Sequence, residues 1–323
     1  MKQFDAAALG ELLIDFVQSG SGPQGNPLFE ANPGGAPANV LAMLSKLGRR
    51  CAFLGKVGRD AFGDQLERTL EGLGIGTEGL MRDGKIPTTL AVVHKLPNGD
   101  RDFSFYRKPG ADILLRPEEI NEELIRSVRI FHFGSLSLTD EPARSATEHA
   151  LDLAKAAGAL ISYDPNLRMS LWESEEAAKR QIEWGLARAD VVKISDNEVT
   201  FLTGEDDYVA GGAVLKKRFP NVRLLNVTAG PEGSYSFYED LRVFEPALKL
   251  GGVVETTGAG DTFCAMVLNY LLDHPIGTLN ETQLHEMLKT ANTAAYLVTT
   301  KKGAIPAMPD RGQIDALLSS MHS

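Results

Sequence analysis

The sequence predicts an α/β protein: a mainly parallel β-sheet covered by helices on both faces, with a small β-sheet set apart from it. Three observations carry this. From residue 129 onward, short apolar runs alternate with amphipathic helical stretches, the pattern of strand–helix units that build parallel sheets. Polar or glycine-rich segments at Asp164, Ser195, Thr228 and Gly258 all fall at the carboxyl ends of those strands, where such sheets bind ligands. Residues 88–107, in contrast, read as two β-rich arms.

Taken in order, residues 4–17 (FDAAALGELLIDFV) form a strand interrupted by Gly10 and Glu11, with Asp15 near its end. A polar connection over 19–25 leads to a short extended piece at 28–31. Asn32 to Asn39 then opens a helix carrying Val40, Leu41, Leu44 and Leu47, with Pro37 in the first turn, where a helix accepts proline. Gly34-Gly35 lets backbone N–H groups approach a ligand, and Asn39 is placed to offer an amide. A strand over 51–57 and a helix over 60–73 follow, the helix with Phe62, Leu66 and Leu70 on one face. Residues 79–85 have the glycine and lysine spacing of a phosphate-binding P-loop, but Ile86 replaces the required hydroxyl residue and no buried strand precedes them, so that reading is rejected. The arms 88–96 and 101–107 meet around Pro97-Asn98-Gly99-Asp100, a hairpin signal. With the piece near residue 28 they imply a small sheet able to cover a pocket and exclude water; on pattern alone an ordinary edge hairpin fits as well. Strands at 129–133, 160–163, 190–194, 223–227, 234–238 and 242–244 then interleave with helices at 141–157, 174–187, 208–218, 260–272, 281–298 and 310–320.

The 323 residues suffice for one large α/β domain or two smaller ones, and 43% hydrophobic with 24% charged residues supports a sizeable core. A formal charge of −10 gives no general electrostatic reason to bind nucleic acid or an anionic membrane. Cys51 and Cys264 both lie in apolar runs and exclude a disulfide framework or a CxxC metal site. The six histidines form no metal-ligand pattern, and no GxSxG element points to a serine hydrolase. The first residues lack the build of a secretory signal and no apolar run reaches membrane-spanning length, so a cytoplasmic protein is expected.

The chemistry concentrates at residues 253–263, VVETTGAGDTF. A strand end, a turn almost free of side chains (Gly258-Ala259-Gly260) and Asp261 precede an apolar helix. The first N–H groups of such a helix lack intrahelical partners and, with the helix dipole, suit an anion. A carboxylate beside an anion hole makes sense if it takes a proton from a nucleophile attacking a phosphate held there. The alternative is a glycine-rich turn with Asp261 as an ordinary first-turn residue.

Together, Gly34-Gly35-Ala36-Pro37-Ala38-Asn39 and Glu255-Thr256-Thr257-Gly258-Ala259-Gly260-Asp261 resemble the two signatures of the ribokinase (PfkB-type) carbohydrate kinase family. Further matching pieces are Gly55 to Gly63, Thr228 to Gly233 and Lys302-Gly303-Ala304, so the resemblance covers nearly the whole chain. Within the family, Gly10-Glu11-Leu12-Leu13-Ile14-Asp15, Phe105-Tyr106-Arg107, Gly110-Ala111-Asp112 and Asp164-Pro165-Asn166-Leu167-Arg168 are most similar to fructokinases. The resemblance implies one three-layer α/β/α domain over 1–323 with a β-sheet lid from about 16–33 and 88–112, and ATP with Mg²⁺ as phosphoryl donor. It makes Asp261 the base and the N–H groups of Gly258, Ala259 and Gly260 the anion hole. Asp15, Gly34, Gly35 and Asn39 would hold sugar hydroxyls, with Tyr106 and Arg107 reaching in from the lid and Arg168 near the substrate or the transferred phosphate. Lys193, Thr228, Gly230, Gly233, Gly260 and Asn292 would serve the nucleotide, and Glu198 the Mg²⁺ indirectly. A monovalent cation such as K⁺ would lie near Glu255, whose extra methylene relative to the family's aspartate would displace it. Ser195 stands where the family usually has Asn, and Met266 where a small residue is usual.

The resemblance implies an ATP-dependent fructokinase making fructose 6-phosphate; an exposed lid face able to pair between subunits makes a homodimer through the lid a further expectation. Two alternatives stand beside it. A 2-keto-3-deoxygluconate kinase would use Arg107 and Arg168 for the sugar-acid carboxylate. A catalytically silent sugar-binding protein on the same fold is the other, against which Asp261 and the intact Gly-Ala-Gly speak.

Overall fold

The computed structural model describes residues 2–95 and 101–321. The hairpin turn expected at Pro97 to Asp100 lies outside the described residues. The chain runs β1 (Phe4–Leu9), β2 (Leu13–Ser21), β3 (Pro27–Gly34), α1 (Ala36–Lys46), β4 (Cys51–Gly58), α2 (Ala61–Gly72), β5 (Gly76–Asp83), β6 (Leu90–Lys95) and β7 (Arg101–Tyr106). Then come α3 (Glu122–Arg126), β8 (Val128–Gly134), α4 (Ala143–Ala156), β9 (Leu160–Asp164), α5 (Glu175–Leu186), β10 (Val191–Ser195), α6 (Asp196–Thr203) and α7 (Tyr208–Arg218). The chain closes with β11 (Leu224–Thr228), β12 (Gly233–Tyr238), β13 (Leu241–Pro246), α8 (Ala259–Asp273), α9 (Glu281–Thr299) and α10 (Arg311–Ser320).

Nine strands form the main sheet in the order β13-β12-β11-β10-β9-β8-β1-β4-β5. The pairings from β5 to β11 are parallel, and β12 and β13 add an antiparallel hairpin at one edge. In β1, Ala6 and Ala8 pack into one core and Ala7 and Leu9 into the other. This two-faced burial explains why the strand reads as continuously apolar rather than alternating. The first core is filled by α1, α8 and α9, the second by α4, α5 and α6, which gives three layers. Helix α8 is buried over nearly all its length, and each fully buried large side chain such as Phe263 or Leu268 contributes about 1.5–3 kcal/mol. Strand order reverses at β1, whose neighbours are β4 and β8, so the crevice at their carboxyl ends is the expected ligand position.

A separate four-stranded sheet, β3-β2-β6-β7, stands off this frame. It is mixed: β2 pairs antiparallel with β3 but parallel with β6, and β6 pairs antiparallel with β7. Asp15, Ala91 and Phe105 lie in one cross-strand row, so Asp15 and Phe105 share a face. Strand β2 leaves β1 through only Gly10 to Leu12, so the long strand expected over 4–17 divides between the two sheets.

Three elements were not expected from sequence: β5, α6 and the short helix α3 (Glu122–Arg126). Residues 76–83 form edge strand β5, a stretch too polar to show a strand period. The P-loop-like run thus lies largely in an edge strand rather than a loop before a helix. Helix α6 begins at what reads as a polar loop; Ser195 and Glu198 make a capping box, a spacing that marks helix starts.

Arg107, just past β7, is 3% exposed. Its Nε donates to Asp112 at 2.7 Å, one terminal nitrogen to Thr139 Oγ1 at 2.9 Å and the other to the Leu136 carbonyl at 2.8 Å. This fork ties the end of the small sheet to the loop after β8. Removing one member of a buried pair leaves the other charge uncompensated. Asp112→Ala is therefore expected to cost about 3–5 kcal/mol, read as a lower urea midpoint at unchanged slope. A loss below about 1 kcal/mol would place the pair with ordinary surface ion pairs and refute the stapling role.

Candidate active site

Strand ends, the turn before α8 and the small sheet enclose one cavity of about 550 Å³, a size suited to a small ligand. Asp15, Gly35, Asn39, Arg168, Lys193, Glu198, Glu255, Gly258, Gly260 and Asp261 all line it. Residues expected together from positions as far apart as 15 and 261 are thus brought to one place. Ala259 lies between two lining residues in the first turn of α8.

The turn before α8 needs its glycines. Gly258 has φ 80°, a left-handed conformation, and a Cβ there would sit 2.9 Å from Ala304 Cβ. A Cβ on Gly260 would lie 3.0 Å from the Lys193 ammonium. The cation therefore sits directly under the helix N-terminus, and both favour an anion in the same space. Lys193 is 8% exposed and pairs with Asp164 Oδ2 at 3.1 Å. Burial alone would lower its pKa, but the charges of Asp164, Glu198 and Asp261 outweigh it and hold the ammonium protonated.

Asp261 is 7% exposed. Asn39 Nδ2 donates to its Oδ2 at 2.8 Å, and Asn166 Nδ2 to its Oδ1 at 3.3 Å. Burial pushes its carboxyl up to about 6; the Asn39 bond pulls down, Asp164 raises it, and Lys193 and Arg168 lower it. Such a group is mostly ionised at neutral pH yet readily takes a proton.

The polar wall opposite is equally determined. A side chain at Gly34 would collide with the Asp15 carboxylate, and one at Gly35 with the Glu11 carbonyl. Glu11 itself accepts from Ala36 N at 2.8 Å, fixing the start of α1, and burial raises its carboxyl to about 7. Sequence reasoning missed Glu11; the signal was a carboxylate inside an otherwise apolar run. It also left Asn166 without a role, although the surrounding Asp-Pro-Asn-Leu-Arg segment stood out. Glu198 accepts backbone N–H bonds on both oxygens, from Leu167 at 2.7 Å and Ser195 at 2.8 Å.

Several expected site residues do not line this cavity. Arg107 is turned away into its buried fork and Tyr106, 65% exposed, faces outward; both border a separate hollow behind the small sheet, with Pro87, Leu90 and Ser170. Gly34 is set back behind Asp15. Thr228, in register with Ser195, continues the same sheet edge away from the cavity towards Gly230 and Gly233. Asn292 spends its amide on the carbonyls of Glu245 and Pro246 and accepts from Ser234. No group of three or more His, Cys, Asp or Glu side chains among the described residues could hold a metal ion. No helix among them is long and apolar enough to cross a membrane.

Comparison with known proteins gives this geometry a family. Residues 3–311 match the family described as pfkB family carbohydrate kinase. A probable fructokinase-4 of Arabidopsis thaliana is 45% identical over 96% of this chain and 95% of its own length. Among solved structures, a fructokinase of Xylella fastidiosa with bound ATP has a TM-score of 0.90 at 30% identity, covering 100% of both chains. A fructokinase of Vibrio cholerae O395 bound to fructose, ADP and calcium ion has a TM-score of 0.86 at 31% identity, over 98% of this chain and 99% of that one. With its ribokinase-like fold and a match over almost its full length, the chain belongs to the pfkB family of carbohydrate kinases.

Proposed function

We propose that this protein transfers the γ-phosphoryl group of ATP to fructose, giving fructose 6-phosphate and ADP. The observation that carries this is Asp261: a buried carboxylate held through both oxygens by amides, in the first turn of a helix whose N-terminus lies over Lys193. In the proposed step, Asp261 takes the proton of the C6 hydroxyl as that oxygen bonds to phosphorus, and the bond to ADP breaks. The N–H groups of Gly258, Ala259 and Gly260 receive the charge that builds on the phosphoryl oxygens, with Lys193 beneath them and Arg168 also on the cavity wall. Asp15, Gly35 and Asn39 hold the sugar, and the small sheet acts as a lid that keeps water from competing as acceptor.

Thr228, Gly230 and Gly233 lie along the neighbouring sheet edge, where the nucleoside part would run, and Asn292 of α9 is hydrogen-bonded there to Ser234. The described lining holds five carboxylates (Glu11, Asp15, Glu198, Glu255, Asp261) against two cations (Arg168, Lys193), so a polyphosphate gains from bringing its own divalent ion. Glu198, with both oxygens already occupied by backbone, suits a Mg²⁺ reached through water and phosphate rather than a dedicated protein cage. When bound, Mg²⁺ would neutralise charge on the β- and γ-phosphates.

The names of the relatives favour fructose over a sugar acid. So does Arg107: its guanidinium is committed to Asp112, Thr139 and Leu136 and has no fork left for a substrate carboxylate. Arg168 does face the cavity, which keeps the sugar-acid reading testable.

ADP release from Mg·ATP is expected with fructose and not with 2-keto-3-deoxygluconate, ribose or adenosine; turnover on the sugar acid alone would reassign the substrate. Asp261→Asn is expected to lower kcat by about 10²–10⁴-fold in a folded protein, and near-normal turnover would remove it as the base. The base must be ionised, and burial has raised its pKa; kcat/KM should hold above about pH 6 and fall as pH drops through it. An acid limb near pH 4, typical of an ordinary carboxyl, would contradict the assignment.

The lid exposes three large apolar side chains, Leu28 (51%), Phe29 (44%) and Tyr106 (65%), that a second copy would cover. A homodimer through the lid is expected, with Leu28→Asp shifting it to monomer by light scattering. A wild-type monomer at micromolar concentration would exclude this interface.

A further inference from the structure

We propose that Asn166 is a positioning residue for phosphoryl transfer: with Asn39 it clamps the Asp261 carboxylate, one amide on each oxygen, and so aims the remaining lone pairs at the incoming hydroxyl. The proposal rests on Asp261 being the base.

Asn166 has φ 46°, one of two left-handed non-glycine residues among those described. The other, Glu239, sits in the turn between β12 and β13. Asparagine tolerates this region better than most residues, but holding it there requires the surroundings to over-determine the backbone. They do. Asp164 is fixed to Lys193 at 3.1 Å, the Pro165 carbonyl accepts from Ser135 N at 3.1 Å, and Leu167 N donates to Glu198 at 2.7 Å. Asn166 N also donates to Asp164 Oδ1 at 3.2 Å. Three neighbouring segments thus pin residues 164–168, the last residue of β9 and the loop that follows it. The result is that the Asn166 amide turns back over the sheet edge and reaches Asp261, 95 positions on.

The two amides differ in origin. Asn39 comes from α1 and Asn166 from the loop after β9, so the carboxylate is held by two separate elements, one on each oxygen. Each oxygen has two lone pairs and gives one to an amide, which leaves one free for a proton. A carboxylate held on one side only would rotate about its last bond, and small misplacements of a reacting group are costly. The amide also acts on the charge. A donor favours the ionised carboxylate, so losing it makes Asp261 easier to protonate. The charged groups acting on Asp261 are Asp164 at the end of β9, Arg168 in the loop after it and Lys193 on β10. Glu198 of α6 faces Lys193, and α1 contributes only the neutral Asn39.

The test is Asn166→Gly, which keeps the left-handed backbone and deletes only the amide. With fructose and Mg·ATP, kcat is expected to fall about 10–100-fold while KM changes little, and the acid limb of kcat/KM moves to higher pH. Asn166→Asp, nearly the same shape and equally tolerant of the turn, exchanges the donor for a second carboxylate. It should lower kcat at pH 7 and move the limb further up, and it decides the matter if the glycine variant does not fold. Variants with wild-type kcat and an unmoved limb, beside an inactive Asp261→Asn, would show that Asn166 only shapes the turn and overturn the proposal alone. An active Asp261→Asn would remove the base itself, and the clamp with it.

Discussion

The Lys193 ammonium lies almost without solvent beneath Gly260, and much of the site follows from the need to keep it there. A buried cation needs a partner, and Asp164 at the end of β9 supplies it. That pairing joins the ends of β9 and β10, fixes where the 164–168 loop begins, and puts positive charge under the first turn of α8. The absence of a side chain at Gly260 is what lets helix end and ammonium act on the same space. A bulkier residue would have to push the lysine aside, and the two sources of anion affinity would separate.

Charge in the cavity is arranged by distance from solvent as well as by sign. Asp261 and Glu11 are both buried carboxyls with raised pKa values, but their surroundings differ. Asp261 has side-chain amides on its two oxygens and cations nearby, a setting for a group that exchanges a proton. Glu11 holds the backbone N–H of Ala36 and so secures the α1 start, from which Asn39 reaches Asp261.

Much of the fold was legible in the sequence because parallel strands buried on both faces show as apolar runs between amphipathic helices. Edge strand β5 was not, since Gly76-Thr77-Glu78 and Arg82-Asp83 leave little apolar signal, and α6 was hidden by a polar start that only the Ser195–Glu198 spacing betrays. The glycine turn before α8 announced itself, because only a special backbone asks for Gly-Ala-Gly ahead of an apolar helix. What a single sequence cannot show is which side chains meet. Arg107 reads as a cation on a hairpin arm until Asp112, five residues later, folds back onto it. Asn166 reads as part of a polar loop until its amide is seen against Asp261.

The buried fork of Arg107 also limits how this scaffold can be re-engineered. A designer seeking to accept acidic sugars would be tempted to recruit the nearest arginine of the small sheet, yet freeing it would undo the joint that holds that sheet to the body of the enzyme. New positive charge would have to be introduced elsewhere on the cavity wall. Acceptor choice and architectural integrity are separable on this wall only if the arginine is left alone.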